Sequence, residues 1–198
     1  MPSAYYDTSA EAFFRDTVDA DMGDARRRFL RLLPPAAHIL DAGCGSGRDA
    51  LAFSREGFTV TAFDQSREMV RMAAAHSGLP VVHLSFDDVE WEAAFDGVWA
   101  SASLLHVPRF DLPSAAGHLV RALKPGGLMF TSFKFGITER EKDGRHFTDM
   151  TDLSLGDLMH EVGVEVIELW PSSDTRPGRE HELWASAICR KPMVAKSS

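Results

Sequence analysis

The stretch "HILDAGCGSGRDALAF", His38 to Phe53, sets Asp41, Gly43, Gly45 and Gly47 in a D-x-G-x-G-x-G pattern between two apolar runs. Glycine admits backbone angles closed to other residues and lets a ligand lie against the main chain. A helix starting here adds inward-pointing N–H groups that suit an anionic group such as a carboxylate. The dinucleotide fingerprint needs G-x-G-x-x-G, and Arg48 stands where its third glycine would be. Asp64 ends the next β-branched run, roughly 20 residues on, where a carboxylate can take both hydroxyls of a ribose. "FDDVEW" then offers Asp87 and Asp88, either to an adenine amino group or as plain turn residues.

These side chains need a scaffold, and alternating patterns supply it. "AHIL", "FTVTAF", "LPVVHL", "FDGVWASAS" and "LMFTSFK" read as strands, with "KPGG" as a turn before the last. "RDALAFSREG", "SREMVRMAAAHSG", "DLPSAAGHLVRAL" and "TDLSLGDLMHEVG" read as helices, with Ser66 an N-cap and Gly78 beyond a helix end. "VEVIELW" and "LWASAICR" are two further strands. The loop "PSSDTRPGRE" between them holds no helix, which suits an antiparallel edge pair. The pattern predicts an α/β fold: a Rossmann-like, doubly wound, mostly parallel seven-stranded sheet in a single domain. "AEAFFRDTVDADMGDARRRFLRLL" precedes it as one or two amphipathic helices able to cover the mouth of a site. The expected division is a helical segment over 1–35, the domain over 36–191 and a tail over 192–198.

The 198 residues fit one domain with a real core, and 44% apolar with 25% charged residues is ordinary for a globular chain. A net charge of -8 argues against a nucleic-acid or anionic-membrane partner. Two cysteines, Cys44 and Cys189, suggest no disulfide framework and a reducing compartment. No apolar run approaches the roughly 20 residues of a membrane span, and the N-terminus lacks a signal-peptide pattern. Cytoplasmic location is the expectation.

Together the motifs resemble those of class I S-adenosylmethionine-dependent methyltransferases. "LDAGCGSG" is similar to their first motif, Asp64 to their ribose-binding acid, "FDGVWASASLLHV" to their fourth-strand motif and "LKPGGLMFTSF" to their fifth. The resemblance spans about residues 36 to 190. It implies S-adenosyl-L-methionine as cofactor, S-adenosyl-L-homocysteine as product and no metal. It further implies that Gly43, Gly45 and Gly47 line the methionine part, with Asp41 steadying the loop or reaching the amino group. Asp64 would hold the ribose, Gln65 and Met69 would lie near the adenine, and Asp88 or its competitor Asp87 would meet the adenine amino group. Ser101 and Leu104 would flank the methionine moiety through their backbone. A tyrosine of "YYD", Tyr5 or Tyr6, would close over the cofactor.

For the acceptor, His106 just past the fourth strand is placed either as a general base or as a packed histidine. Arg145 and His146 of "DGRHF", with Trp170, Arg176, Arg179 and Trp184 late in the chain, could form a pocket for a small anionic or polarisable acceptor; solvated loop arginines are the alternative. "GSGRDALAF", "ASLLHVP" and the S-x-D-x-R-P-G-R segment resemble a compact subgroup labelled tellurite-resistance-like, whose label suggests a thiol or a chalcogen oxyanion. Two other classes remain: a binding or regulatory protein on the same fold without turnover, and a nicotinamide oxidoreductase. A nucleic-acid methyltransferase is disfavoured by the acidic balance and by "ASLL" where "N/D-P-P-Y/F" would stand. Monomer and homodimer are both compatible with these features.

Overall fold

The computed structural model describes residues 9–193. Two helices lead in, α1 (Ala10–Thr17) and α2 (Gly23–Leu30). The body then alternates: β1 (His38–Ala42), α3 (Arg48–Arg55), β2 (Thr59–Asp64), α4 (Arg67–Ser77), β3 (Val81–His83), β4 (Phe95–Ala100), α5 (Leu112–Ala122) and β5 (Leu123–Lys134). A hairpin, β6 (Glu139–Lys142) with β7 (Arg145–Thr148), precedes α6 (Asp152–Glu161), β8 (Glu165–Ser173) and β9 (Leu183–Arg190). The main sheet has seven strands in the order β3-β2-β1-β4-β5-β9-β8. Strands β1 to β5 pair in parallel, and β9 pairs antiparallel with both β5 and β8. The predicted architecture, edge pair included, is the observed one.

The chain winds outward from β1 through β2 to β3 and returns to β4 on the other side of β1, so the topology switches between β1 and β4. Open α/β sheets bind ligands at the carboxyl ends of strands flanking such a switch. β1 is apolar and buried there because both faces are covered, one by the cluster of Leu40, Val98 and Met129, the other by Phe29, Ile39, Phe53 and Trp99. The Trp99 indole stacks on Phe130 with ring centroids 3.9 Å apart. Cap chemistry sets the helix ends. Ser66 Oγ accepts the Met69 N–H at 3.2 Å, and Thr151 and Ser154 form a reciprocal capping box.

Three features differ from the sequence expectation. "KPGG" is the irregular start of β5, its Gly126 N–H donating to the Lys191 carbonyl at 2.9 Å, because the returning C-terminal strand extends far enough to pair with it. The fourth strand stops at Ala100, and Leu104–His106 is a turn of 3-10 helix. The β6–β7 hairpin was not anticipated. Its turn is Asp143-Gly144 with φ of +52° and +72°, the pair that a type I′ turn favours.

Candidate functional site

The glycine loop connects β1 to α3 at the switch point. Gly43 has φ +74°, and a Cβ there would lie 2.6 Å from the Ser103 Cβ, so no larger residue fits. Gly45 also has positive φ, and a Cβ would meet the Phe13 ring of α1 at 3.3 Å. Gly47, with φ +75°, turns toward α4. It is buried against the Ala73 backbone of α4, where a Cβ would fall 3.0 Å from the Ala73 carbonyl oxygen, so it sets helix packing and does not line the cavity. Gly43→Ala is therefore expected to lower stability by about 2–4 kcal/mol, from left-handed backbone strain plus overpacking, as read by urea denaturation.

Beside the loop lies a cavity of about 630 Å³. Its walls come from the glycine loop (Gly43, Cys44, Gly45), the end of β4 (Ser101, Ala102), the outer ends of β5 and β9, the β6–β7 hairpin and the β8–β9 loop. Ala102 takes φ +51° and its N–H donates to Ser132 Oγ at 3.0 Å, a strained turn held by the neighbouring strand.

Asp41 and Asp49 form the buried acidic centre of the loop. One carboxylate oxygen of Asp49 accepts Arg26 Nη1 at 2.7 Å and Arg48 Nε at 3.1 Å. The other accepts Arg48 Nη2 at 2.6 Å and the Trp99 indole N–H at 3.0 Å. Burial raises the Asp49 carboxyl, but the two guanidiniums outweigh it and hold it below the usual range. Asp41 is 3% exposed, lines the cavity, and its Oδ2 has no hydrogen-bond partner. Burial, reinforced by the Asp49 charge, pushes its carboxyl well above the ordinary value. A cation reaching Asp41 from the cavity would relieve both deficits.

Asp64 ends β2 and accepts the Gly45 N–H at 3.0 Å and the Ser66 N–H at 2.9 Å, which fixes the loop against the start of α4. Asp64, Gln65, Met69, Asp87, Asp88 and Leu104 do not line the cavity. Met69 packs instead with Ala10, Phe13 and Met72, under α1. Leu104 is fully buried in the core. Asp87 and Asp88 are exposed, Asp88 accepting the Ser85 hydroxyl at 2.6 Å in a turn. Phe86, which sequence reasoning passed over, is the member of "FDD" that faces the loop, 3.6 Å from a Gly43 Cβ. Tyr5 and Tyr6 lie outside the described residues. Burial pushes the Cys44 thiol well above its ordinary value, which disfavours the thiolate.

On the acceptor side the hairpin alternates with a period of two. Arg140, Lys142, Arg145 and Phe147 face the cavity. His146 points the other way, to Glu139 at 3.0 Å and Glu141 at 2.9 Å, so it does not reach an acceptor in the cavity. His106 lines the cavity and its Nδ1 lies 2.7 Å from the His146 carbonyl oxygen. A carbonyl only accepts, so Nδ1 carries the proton and Nε2 is the basic nitrogen. Burial brings this ring down to about 4. Trp170, Arg176, Arg179 and Trp184 all line the cavity. The arginines arrive paired: Arg176 with Asp174 through three bonds of 2.5–3.0 Å, and Arg179 with Asp16 of α1 at 3.1 Å. Burial works against Asp174, yet Arg176 and Lys134 bring its carboxyl down to about 2. Lys134 at the end of β5, missed in the sequence, stands in the same wall; its position on the strand was readable, its direction was not.

Residues 39–127 match the methyltransferase domain family. The chain is 40% identical over 109 residues to the ubiquinone biosynthesis O-methyltransferase of Xanthomonas axonopodis pv. citri, covering 52% of this chain and 45% of that protein. It spans about half the length of the curated relatives it matches. Among solved structures, the 1,6-didemethyltoxoflavin-N1-methyltransferase of Burkholderia thailandensis, bound to 1,6-didemethyltoxoflavin and S-adenosylhomocysteine, superposes with a TM-score of 0.78 at 23% identity over 97% of this chain and 91% of that one. The [4+2]-cyclase SpnF superposes with a TM-score of 0.74 at 20% identity, over 97% and 95%. The chain is thus built on the class I methyltransferase fold, and its residues 39–127 are similar to the methyltransferase domain family.

Proposed function

We propose that this chain transfers a methyl group from S-adenosyl-L-methionine to a small acceptor seated in the cavity. The observation that carries the reading is Asp41, a buried carboxylate with an unpartnered oxygen at the cavity edge, beside glycines that leave the backbone bare. The methionine end fits there: its ammonium group suits Asp41 and its backbone-hugging body suits Gly43 and Gly45. At the adenosine end Asp64 would hold the ribose, with Gln65, Asp87, Asp88 and Phe86 around the slot. That slot is roofed by α1, whose Phe13 lies on Gly45 and whose Ala10 lies near Met69, so cofactor entry requires α1 to move aside. On this reading α1 carries the covering role expected of the N-terminal segment.

When bound, the cofactor supplies an electrophilic methyl on a sulfonium, with an excellent leaving group built in. The protein's own task is alignment of acceptor and methyl. With burial bringing its ring to about 4, His106 is neutral near pH 7, and its role is to position the acceptor in the cavity and not to carry a proton away. Relatives named as O-methyltransferases favour an oxygen nucleophile over the thiol or chalcogen oxyanion suggested by the tellurite-resistance-like resemblance. A regulatory protein without turnover is the alternative, and SpnF shows that this fold also carries other names.

With radiolabelled cofactor and a panel of small oxygen acids, label transfer is expected. Its kcat/KM should show no ascending limb centred near 6.5, because His106 gains a proton only as pH falls toward about 4. A histidine limb near 6.5 contradicts the neutral-histidine role. Absence of transfer to every acceptor, with the cofactor bound, favours the regulatory alternative.

A further inference from the structure

The floor of the acceptor cavity is made by two adjacent cross-strand pairs of β5 and β9, Ser132 with Ser186 and Lys134 with Trp184. Alternation along the strand turns all four toward the cavity. The Ser132 pair lies next to the strained end of β4, through the Ala102 N–H. The Lys134 pair lies two residues farther out, about 7 Å by strand rise. A small hydroxyl-lined inner floor thus gives way to an ammonium held 4.6 Å over an indole ring.

Lys134 is only 15% exposed, and a largely buried ammonium needs a counter-charge. Asp174 stands 3.7 Å away but is already claimed by Arg176 and by the Trp184 indole N–H. The close partner of Lys134 is Glu182, whose side chain lies at the rim and is 31% exposed. Glu182 is fixed through its backbone, its carbonyl accepting the Asp174 N–H at 2.8 Å and its N–H donating to the Arg179 carbonyl at 2.8 Å. Its carboxylate can therefore swing to solvent without disturbing the loop. Burial, together with Arg176, Arg179 and Arg140, pulls Lys134 down to about 8 against the pull of Asp174.

We infer that Lys134 is the anchor for a carboxylate on a small planar acceptor, and that Glu182 is an internal stand-in for that carboxylate, displaced when the acceptor enters. Trp184 supports the planar body, and the acceptor's nucleophile points inward to the Ser132 pair. This rests on the methyl-transfer reading for its chemistry, but the binding site itself is tested without turnover.

The probes are benzoate and its neutral isostere benzamide, titrated by tryptophan fluorescence with and without saturating S-adenosylhomocysteine. Benzoate is expected to bind about tenfold more tightly, the worth of one charge-assisted hydrogen bond. Glu182→Gln should tighten benzoate severalfold and leave benzamide unchanged, since the competing carboxylate is gone. Lys134→Met should erase the preference between the probes. Equal affinities in the parent protein, no binding of either probe, or a Glu182→Gln variant that binds benzoate no better than the parent overturns the assignment. Calorimetric binding of S-adenosylhomocysteine to the same samples is read separately, and its failure counts against the cofactor reading alone.

Discussion

Asp64→Ala is expected to weaken binding of S-adenosylhomocysteine by about a hundredfold or more, the equivalent of two hydrogen bonds from ribose hydroxyls to a charged acceptor. The carboxylate sits at the end of β2 with both oxygens turned toward the glycine loop and the start of α4. Its removal takes away the proposed ribose contact and also releases the Gly45 and Ser66 N–H groups. Asp64→Asn separates the two effects. Its single carbonyl oxygen keeps part of the loop geometry but lacks the charge, so affinity should fall between parent and alanine variant while the melting temperature stays close to that of the parent. Calorimetry and thermal unfolding read both quantities. An alanine variant that binds within threefold of the parent contradicts the ribose role.

Asp49→Ala carries the largest expected loss of stability, about 3–5 kcal/mol, the cost of deleting one partner from a buried ion pair. The alanine leaves Arg26 and Arg48, each less than a fifth exposed, without their carboxylate, and leaves the indole N–H of the fully buried Trp99 unsatisfied. Arg26 belongs to α2, so the same change also loosens the N-terminal helices from α3. Asp49→Asn keeps an acceptor for Trp99 and should cost less. Urea denaturation measures the difference, and a loss below about 1 kcal/mol would show that the network is idle.

Much of this was legible from residue spacing. Alternating apolar runs and cap residues fixed the strand and helix sequence, since β1 and β4 are buried on both faces and must be continuous apolar stretches. Asp41, Gly43, Gly45, Ser101, Trp170, Arg176, Arg179 and Trp184, far apart in sequence, line one cavity. What spacing does not encode is direction. His146 was chosen for its type, but its neighbours Arg145 and Phe147 occupy the cavity face and leave it outside with Glu139 and Glu141. Gly47 matches the motif yet serves helix contact with Ala73, a contact that exists only once α3 and α4 are folded. Lys134 and Glu182 meet only because β9 returns antiparallel beside β5, a pairing over 48 residues that no local pattern announces. The Asp143-Gly144 pair is a turn signal, but the flanking residues are too polar to read as strands, so the hairpin that brings Arg140 to the cavity emerges only in the structure.

The glycine loop as the seat of S-adenosylmethionine is tested most directly by calorimetric titration of the unmodified protein with S-adenosylhomocysteine, with NADH as control. One saturable site of micromolar affinity and no heat from NADH is the expected result. A folded protein that takes up no S-adenosylhomocysteine, or that binds NADH in its place, would contradict it.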